Sequence, residues 1–509
     1  MTEPPPPEVA PDPTPTPGPR PTGLRRLGLF FVAFASGFAI LTIEIAGARL
    51  IAPVYGLSAV PWTAVIGTIL AALALGSHLG GRWADSGRIP LPAVLTAAGF
   101  ASVIPLVAGS FPWAARSWLG FIPGAVASAL VLFAPAVLCL GAVVPYLVRA
   151  DTESLGSIGR RAGDVSAATT AGSILGSFVT GFFLLPAFPL PVLMGLTGAF
   201  LFLLALVAGW ILGRPVERAA LGVAALAVGA LGWMTSGSAE DVLVRTQTLH
   251  ASVQVTERVW SDGRRVRELW QNGGSSSAEY VDTGMPAHEY ARMSATLLEP
   301  LEPRLNRTLV LGGAALSLPV ALSRRRPSME IDVVEIDPAV TRLARAYFAY
   351  GEGDYPGISV THDDARVFLR STDERWDLIY LDVFDHFLTV PWTMVTVEAL
   401  EAMRAHLEAE GLFMANVLTP LGGPGSALLQ RLVATAEQVY GAVRIYPTDP
   451  DADPGVMQNA ILVAAAEVGH LPPVPGALDI PAAGRPLTDA WAPVEFLQGK
   501  VFAQGIRWD

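Results

Sequence analysis

The sequence predicts two domains of different classes: a multi-pass α-helical membrane domain, and after it an α/β domain built on a parallel sheet. Two observations predict this division. Only 16% of the 509 residues are charged, against roughly 25% in soluble domains, and the deficit lies between about residues 24 and 236. From residue 239 onward the charge density is ordinary, and short apolar runs alternate with helical stretches, as in βαβ units.

The boundaries follow from these composition changes. Residues 1–23 are proline-rich and are expected to be a disordered tail, without the pattern of a signal peptide. Residues 24–237 are the predicted membrane domain, 238–285 a small β region, and 286–509 the α/β domain. The β region contains a predicted hairpin, 251–258 and 265–271, with Asp262-Gly263 as its turn signal.

Seven apolar runs of the predicted membrane domain approach the roughly 20 residues that cross a bilayer. They lie at about 26–48, 61–81, 90–110, 121–148, 165–187, 190–212 and 218–236. Glycines recur in the second run (76, 80, 81) and in the fifth (172, 176, 181), either because these helices pack closely or because glycine is common in membrane spans. Glu44 in the first run is either one half of a structural ion pair, for example with Arg49, or a functional acid.

Arginines predict the orientation of the spans, because positive loops face the cytoplasm. By alternation, one side carries Arg25, Arg26, Arg82, Arg88, Arg149, Arg160, Arg161, Arg214 and Arg218, and the other only Arg49 and Arg116. The protein is therefore expected in the cell membrane with its N-terminus in the cytoplasm. Seven full spans would place the α/β domain outside. The alternative is that the short seventh run lies in the interface.

Charge and cysteine content exclude several partners. The net charge is −11 without a basic stripe, so nucleic acid is not expected as a partner. The single cysteine, Cys139, rules out a disulfide within the chain and zinc sites of the Cys₄ type. No metal site is predicted.

Three positions of the α/β domain point to a nucleoside. Gly312 and Gly313 follow the apolar strand 309–311, and Glu335 follows Gly312 by 23 residues at the end of the next strand. At this spacing an acidic residue reaches a ribose hydroxyl. Asp364-Ala365 comes after a third strand, where a carboxylate can accept the adenine amino group. The alternative is that these acids only cap helices; Asp337 before Pro338 is expected to do so, leaving Glu335 for the ribose.

Two further acids, Asp382 and Asp385, follow the apolar run 378–381. Ligands of open α/β sheets bind beyond the carboxyl ends of the strands. A carboxylate there could hold a cationic amine and remove its proton, which an amine must lose before it acts as a nucleophile. The alternative is a solvated loop.

These residues resemble the polyamine aminopropyltransferases, the spermidine and spermine synthases. The matching motifs are Asp382-x-x-Asp385, Glu335 and Asp364-Ala365, with Tyr290 at a position that contacts substrate. The stretches 74–85 and 487–495 are similar to the membrane-fused branch. The resemblance implies a Rossmann-like fold of the class I methyltransferase type, with Asp385 as general base, Asp382 orienting the amine, and Pro391 in the place of a family proline.

The resemblance also implies the ligands. Decarboxylated S-adenosylmethionine would be a co-substrate, with no permanently bound cofactor, and a small polyamine would accept the aminopropyl group. A separate expectation is a homo-oligomer through the soluble domain. Three positions depart from the family pattern: Ala315 replaces the aspartate of the glycine loop, Ala251 stands near the place of a glutamine, and His386 replaces the proline after Asp385. Two alternatives therefore stay open: a transferase that uses S-adenosylmethionine itself, and a non-catalytic membrane carrier or sensor of polyamines.

Overall fold

The computed structural model describes residues 23–56, 59–151, 158–213, 218–235, 241–384, 390–494 and 496–498. Within these ranges, twelve α-helices precede the first strand: α1 Gly23–Tyr55, α2 Ala59–Ser86, α3 Leu91–Ala101, α4 Ile104–Val107, α5 Phe111–Leu119, α6 Phe121–Leu132, α7 Ala134–Gly141, α8 Val143–Asp151, α9 Ile158–Val179, α10 Leu185–Ala187, α11 Leu190–Ile211 and α12 Arg218–Thr235. The π-helical turn Thr180–Leu184 joins α9 to α10. These helices form a bundle around a shared apolar core.

Glycines set the closest approaches between the helices of the bundle. A Cβ at Gly172 of α9 would lie 1.8 Å from the Phe34 carbonyl oxygen of α1, and a Cβ at Gly76 of α2 would lie 2.1 Å from the Leu138 oxygen. Neither position admits a larger residue without separating two backbones. The predicted packing role therefore holds for Gly172 and Gly76. A Cβ added at Gly81 or Gly181 would meet no atom within 4 Å.

Five helices of the described residues are long and apolar enough to cross a membrane: Gly23–Tyr55, Ala59–Ser86, Ala134–Asp151, Ile158–Ala187 and Leu190–Ile211. The pair Leu91–Val107 and Phe111–Leu119, which bends by 71°, makes a sixth if it is counted as one span. The seventh predicted run is a helix of 18 residues, α12, which is not among these candidates. Seven spans remain a prediction.

Three of the arginines predicted to share one side, Arg26, Arg149 and Arg161, form ion pairs at one end of the bundle. Arg26 and Arg161 both pair with Asp151, at 3.5 and 3.3 Å, and Arg149 pairs with Asp85 at 3.3 Å. The opposite end holds the carboxyl end of α1, where the Tyr55 hydroxyl donates to the Pro112 carbonyl oxygen at 2.9 Å.

The β region is a four-stranded antiparallel sheet in the order β1 Val242–Gln247, β2 Ser252–Val259, β3 Arg265–Gln271 and β4 Gly274–Tyr280. The predicted hairpin is β2–β3, and β1 and β4 are additional strands. This sheet contacts the end of the bundle that is opposite to Arg26, Arg149 and Arg161. Arg49 of α1 donates to the Leu249 carbonyl oxygen at 2.7 Å, and the turn at Gly273 lies against Pro53.

The α/β domain is a seven-stranded mixed sheet in the order β10-β11-β9-β8-β5-β6-β7. Its strands are β5 Arg307–Leu311, β6 Glu330–Val334, β7 Ile358–Thr361, β8 Trp376–Leu381, β9 Leu407–Thr419, β10 Ala442–Pro447 and β11 Gln458–Ala465. Its helices are α13 Glu289–Leu298, α14 Ser317–Arg325, α15 Pro338–Tyr347, α16 Ala349–Glu352, α17 Ala365–Ser371, α18 Val397–Ala405 and α19 Ala427–Val439. Strands β7, β6, β5, β8 and β9 are parallel, and β11 and β10 continue the sheet antiparallel. Apolar clusters on both faces bury this sheet, so its free carboxyl edge is where a ligand can bind. This is the predicted Rossmann-like domain; the four region boundaries remain a prediction.

Candidate functional site

A cleft of about 750 Å³ lies at the carboxyl ends of the parallel strands, and the turn between β3 and β4 forms its opposite wall. It brings together the predicted residues Tyr290, Gly312, Glu335, Asp364, Ala365, Asp382 and Pro391. A smaller cavity beside it is lined by Ser277, His288, Gly313 and Ser317, together with Tyr290, Gly312 and Asp382. Asp385 lies outside the described residues, so its role as base remains a prediction.

The turn after β5 is a tight and strained loop. Gly312 has φ +97°, and a Cβ there would lie 2.3 Å from the Asp382 carbonyl oxygen. Ala314 and Leu316 also have positive φ, at 43° and 59°, a conformation that residues with a side chain adopt at a cost. The loop therefore holds the backbone of the first turn close to β8.

Glu335 anchors this loop. Its Oε2 accepts hydrogen bonds from the Gly313 and Ala314 amides, both at 3.0 Å, and its Oε1 accepts from the Asp337 amide at 3.0 Å. Burial raises the pKa of Glu335, and these amides oppose the shift. These three backbone donors leave roughly one of the four acceptor positions of the carboxylate, so the contact of Glu335 with a ribose remains a prediction. Glu335 nevertheless lines the cleft.

Two other acids of the nucleoside end, Asp337 and Asp364, cap helices. The Asp337 side chain accepts from the Ala339 amide at 2.9 Å, as predicted. Asp364 accepts from the amides of Arg366 and Val367 through Oδ1, at 2.9 and 3.0 Å. No bond to its Oδ2 is found among the described residues, so one oxygen of Asp364 can accept from a ligand while the other caps α17.

Asp382 is the acid at the centre of the cleft. Its Oδ2 accepts from the Tyr290 hydroxyl at 3.1 Å, and its Oδ1 accepts from the Asn416 amide at 2.9 Å. Burial raises the pKa of Asp382 to about 6, and burial next to this carboxylate raises the pKa of Tyr290 well above its usual value. A carboxyl group with such a pKa is ionised at neutral pH and can still take up a proton.

A second polar chain reaches the cleft from the β region. The Ser275 hydroxyl donates to Glu268 Oε1 at 3.0 Å and lies 2.9 Å from His288 Nε2. Because Ser275 has one proton, it accepts from a protonated Nε2. Burial lowers the pKa of His288 to about 4, so the ring is neutral, and it stacks on Tyr290 at 5.7 Å.

The two alanines that depart from the family pattern belong to one apolar cluster. Ala251 and Ala315 are buried together with Val253, Leu269 and Phe348. The side chains of this cluster offer no partner to a charged residue of the glycine loop. We therefore interpret the two departures from the family pattern as a single change, which makes the surroundings of this loop apolar. An aspartate introduced at Ala315 would bury a charge among apolar side chains.

Several residues of the site were not predicted from the sequence: Asn416, Asn459, His288, Ser275 and Glu268. Asn416 interrupts an apolar strand, Phe413 to Leu418, and a polar residue in such a strand is a signal that could have identified it. The others lie in segments without a motif. Among the described residues, no group of three or more His, Cys, Asp or Glu side chains could hold a metal ion.

Part of the chain that forms this cleft is similar to known proteins. Residues 287–422 match the model of the spermine/spermidine synthase domain. This part of the chain is similar to a spermine/spermidine synthase domain. The match covers Tyr290, Gly312, Glu335, Asp364 and Asp382, and it confirms the family that the resemblance implied.

Curated relatives are similar over part of the chain. A polyamine aminopropyltransferase of Vibrio vulnificus is 31% identical over 156 residues, which are 30% of this chain and 49% of that protein. Polyamine aminopropyltransferase 1 of Streptomyces coelicolor is 27% identical over 371 residues, 65% of this chain and 64% of that protein. A probable polyamine aminopropyl transferase of Bifidobacterium longum is 30% identical over 33% of this chain and 36% of its own length. The chain thus spans between about a third and two thirds of these relatives.

Among solved structures, a probable spermidine synthase from Corynebacterium glutamicum is similar with a TM-score of 0.39 and 19% identity, over 54% of this chain and 97% of that chain.

Proposed function

We propose that the protein is a polyamine aminopropyltransferase that transfers the aminopropyl group of decarboxylated S-adenosylmethionine to a primary amine such as putrescine. One observation carries the proposal: the buried carboxylate of Asp382 lies in the same cleft as the nucleoside end formed by Gly312, Glu335 and Asp364. The curated relatives bear this activity in their names.

In the proposed reaction, the cleft positions two substrates and one base. The amine nitrogen attacks the aminopropyl carbon that is bonded to the sulfonium sulfur. A carbon–nitrogen bond forms, the carbon–sulfur bond breaks, and its electron pair leaves neutral methylthioadenosine. The amine proton passes to a carboxylate. Asp382, with its pKa near 6, contacts the amine; the predicted base, Asp385, follows it by three residues.

The direct test is incubation of the purified full chain with decarboxylated S-adenosylmethionine and a panel of amines, with methylthioadenosine and the products measured by mass spectrometry. Asp382→Ala should lower turnover by about 10²–10⁴ while methylthioadenosine still binds, because the nucleoside contacts lie elsewhere. If the protein binds methylthioadenosine but forms none from the donor with any amine of the panel, transferase activity with this donor is excluded.

The replacement at Ala315 removes one contact that selects the decarboxylated donor, so one alternative is a transferase that uses S-adenosylmethionine itself. The family aspartate that this alanine replaces would hold the donor's amino group, and here an apolar cluster takes its place. Thermal shifts of the full chain with each donor separate the two functions. A larger shift with S-adenosylmethionine than with its decarboxylated form supports the alternative. A carrier or sensor of polyamines would bind amines without releasing methylthioadenosine.

We also propose that the bundle spans the cell membrane with its arginine-rich end in the cytoplasm. The charge asymmetry supports this orientation, and Arg26, Arg149 and Arg161 do lie at one end. The β region contacts the opposite end through Arg49 and Pro53. The proposed orientation therefore puts the cleft on the side opposite to the N-terminus, whatever the number of spans.

A further inference from the structure

The segment 487–494, here called the C-terminal strap, is fastened to helices α18 and α19. The Leu487 carbonyl oxygen accepts from the Val397 amide at 2.8 Å, and the Leu487 amide donates to the Thr435 hydroxyl at 3.0 Å. Leu487 and Val494 are both buried in the apolar core on one face of the sheet. The strap is therefore held by hydrogen bonds and by burial, and its polar side chains have defined positions.

Asp489 of the strap pairs with Arg366 of α17. Its two oxygens accept from the guanidinium at 3.2 and 2.7 Å, and its Oδ1 also accepts from the Thr396 hydroxyl at 2.6 Å. The Arg366 side chain is only 13% exposed, and Asp489 is the single ion-pair partner that the described residues offer it. Because a guanidinium that is mostly buried needs a compensating charge, Asp489 holds this side chain in its place.

Arg366 in turn connects two walls at the nucleoside end of the cleft. Its guanidinium donates to the Thr393 carbonyl oxygen, and its backbone amide donates to Asp364 Oδ1 at 2.9 Å. Thr393 lines the cleft together with Pro391 and Met394, and Asp364 lines it at the first turn of α17. The side chain of Arg366 therefore fixes the wall around Thr393 relative to the carboxylate of Asp364.

We infer that Asp489 is a positioning residue for nucleoside binding, which acts through Arg366 on the cleft wall at Thr393. Asp489 itself is not among the described residues that line the cleft, so it has no direct contact with the ligand. Without its charge, the guanidinium of Arg366 would turn towards water and give up the Thr393 carbonyl oxygen. The inference rests on the proposed transferase function, because that function identifies the ligand of the cleft as methylthioadenosine.

The first test is Asp489→Asn in the full chain, which keeps the size of the side chain and removes its charge. We expect the Kd for methylthioadenosine, measured by isothermal titration, to rise by about tenfold, since a charge-assisted hydrogen bond contributes on that order. The KM for the decarboxylated donor should rise with it while kcat changes little, because Asp382 at the amine end is untouched. An unchanged Kd and KM in Asp489→Asn would overturn the inference and leave the transferase function standing.

The matched control is Asp282→Asn, which removes the ion pair between Arg264 and Asp282 at 3.0 Å. This pair lies in the β region, and neither residue lines the cleft. We expect wild-type Kd and KM in this variant, and an increase equal to that of Asp489→Asn would also contradict the inference. A wild-type chain that binds no methylthioadenosine would refute the proposed function, and the inference would fall with it.

An exchange of the two charges separates positioning from stability. In the double variant Arg366→Asp with Asp489→Arg, an ion pair can again join the strap to α17, so the melting temperature should lie above that of Asp489→Asn. The aspartate at position 366 has no donor for the Thr393 carbonyl oxygen, so the affinity for methylthioadenosine should stay low. If the exchange restores the affinity as well as the melting temperature, Asp489 serves only to hold the strap, and the positioning role is excluded.

Discussion

Asp382 shows how one buried residue links stability to function. It has no ion-pair partner among the described residues, and its hydrogen bonds come from the uncharged Tyr290 and Asn416. Burial therefore raises its pKa to about 6 from 3.8. An acid whose pKa is raised on folding destabilises the native state at every pH at which it is ionised. A residue with only a structural role would have no reason to carry this destabilising charge.

Asp382→Asn is expected to stabilise the protein at alkaline pH. Below about pH 4 the carboxyl is protonated in both the folded and the unfolded chain, and the variant gains nothing. Between about pH 4 and pH 6 the carboxyl ionises in the unfolded wild-type chain while it stays protonated in the folded one, so the free energy of unfolding falls only in the wild type. The loss reaches about 3 kcal/mol above pH 6 for a pKa raised from 3.8 to about 6. Thermal melting of both proteins at pH 4 and pH 8 measures this. A difference in melting temperature that is the same at both pH values would contradict the raised pKa.

At the scale of elements, the sequence predicts what depends on local pattern. The glycine turn, the strand ends at Glu335 and Asp382, and the cap at Asp337 each follow from a few consecutive residues. Strand β4 was missed because Gly274–Tyr280 is rich in Gly and Ser, and its pairing with β3 forms it. The bond between Asn416 and Asn459 depends on the pairing of β9 with β11, which no local pattern specifies.

Helix α17 provides a prediction at this scale, because Asp364 has two roles on its two oxygens. Asp364→Ser keeps a good cap for α17 but removes the second oxygen, so methylthioadenosine binding should weaken by about tenfold while the melting temperature changes little. Asp364→Ala is the matched control and should lose both the cap, worth about 1 kcal/mol, and the ligand contact. Isothermal titration and thermal melting give the two values. Wild-type affinity in Asp364→Ser would show that Asp364 only caps the helix.

For the whole molecule, the end of the bundle on which the β region sits decides the compartment of the cleft. The contacts of Arg49 with Leu249 and of Pro53 with Gly273 lie at the end of α1 remote from Arg26. To locate the cleft from loop charge alone, the number of spans must be known exactly. These contacts locate the cleft relative to the N-terminus without that number. A cleft outside the cytoplasm would require its nucleoside donor to be present on that side.

Cysteine labelling of intact cells tests this placement. Cys139, the single native cysteine, is first replaced by Ser; Ser86→Cys then reports the arginine-rich end and Ser371→Cys the α/β domain, both at exposed positions. With a membrane-impermeant maleimide, we expect Ser371→Cys to react in intact cells and Ser86→Cys to react only after the cells are opened, because the two positions lie on opposite sides of the bundle. Labelling of Ser86→Cys alone would reverse the orientation and return the cleft to the cytoplasm. Labelling of both from outside would contradict the assignment of the bundle as a membrane domain.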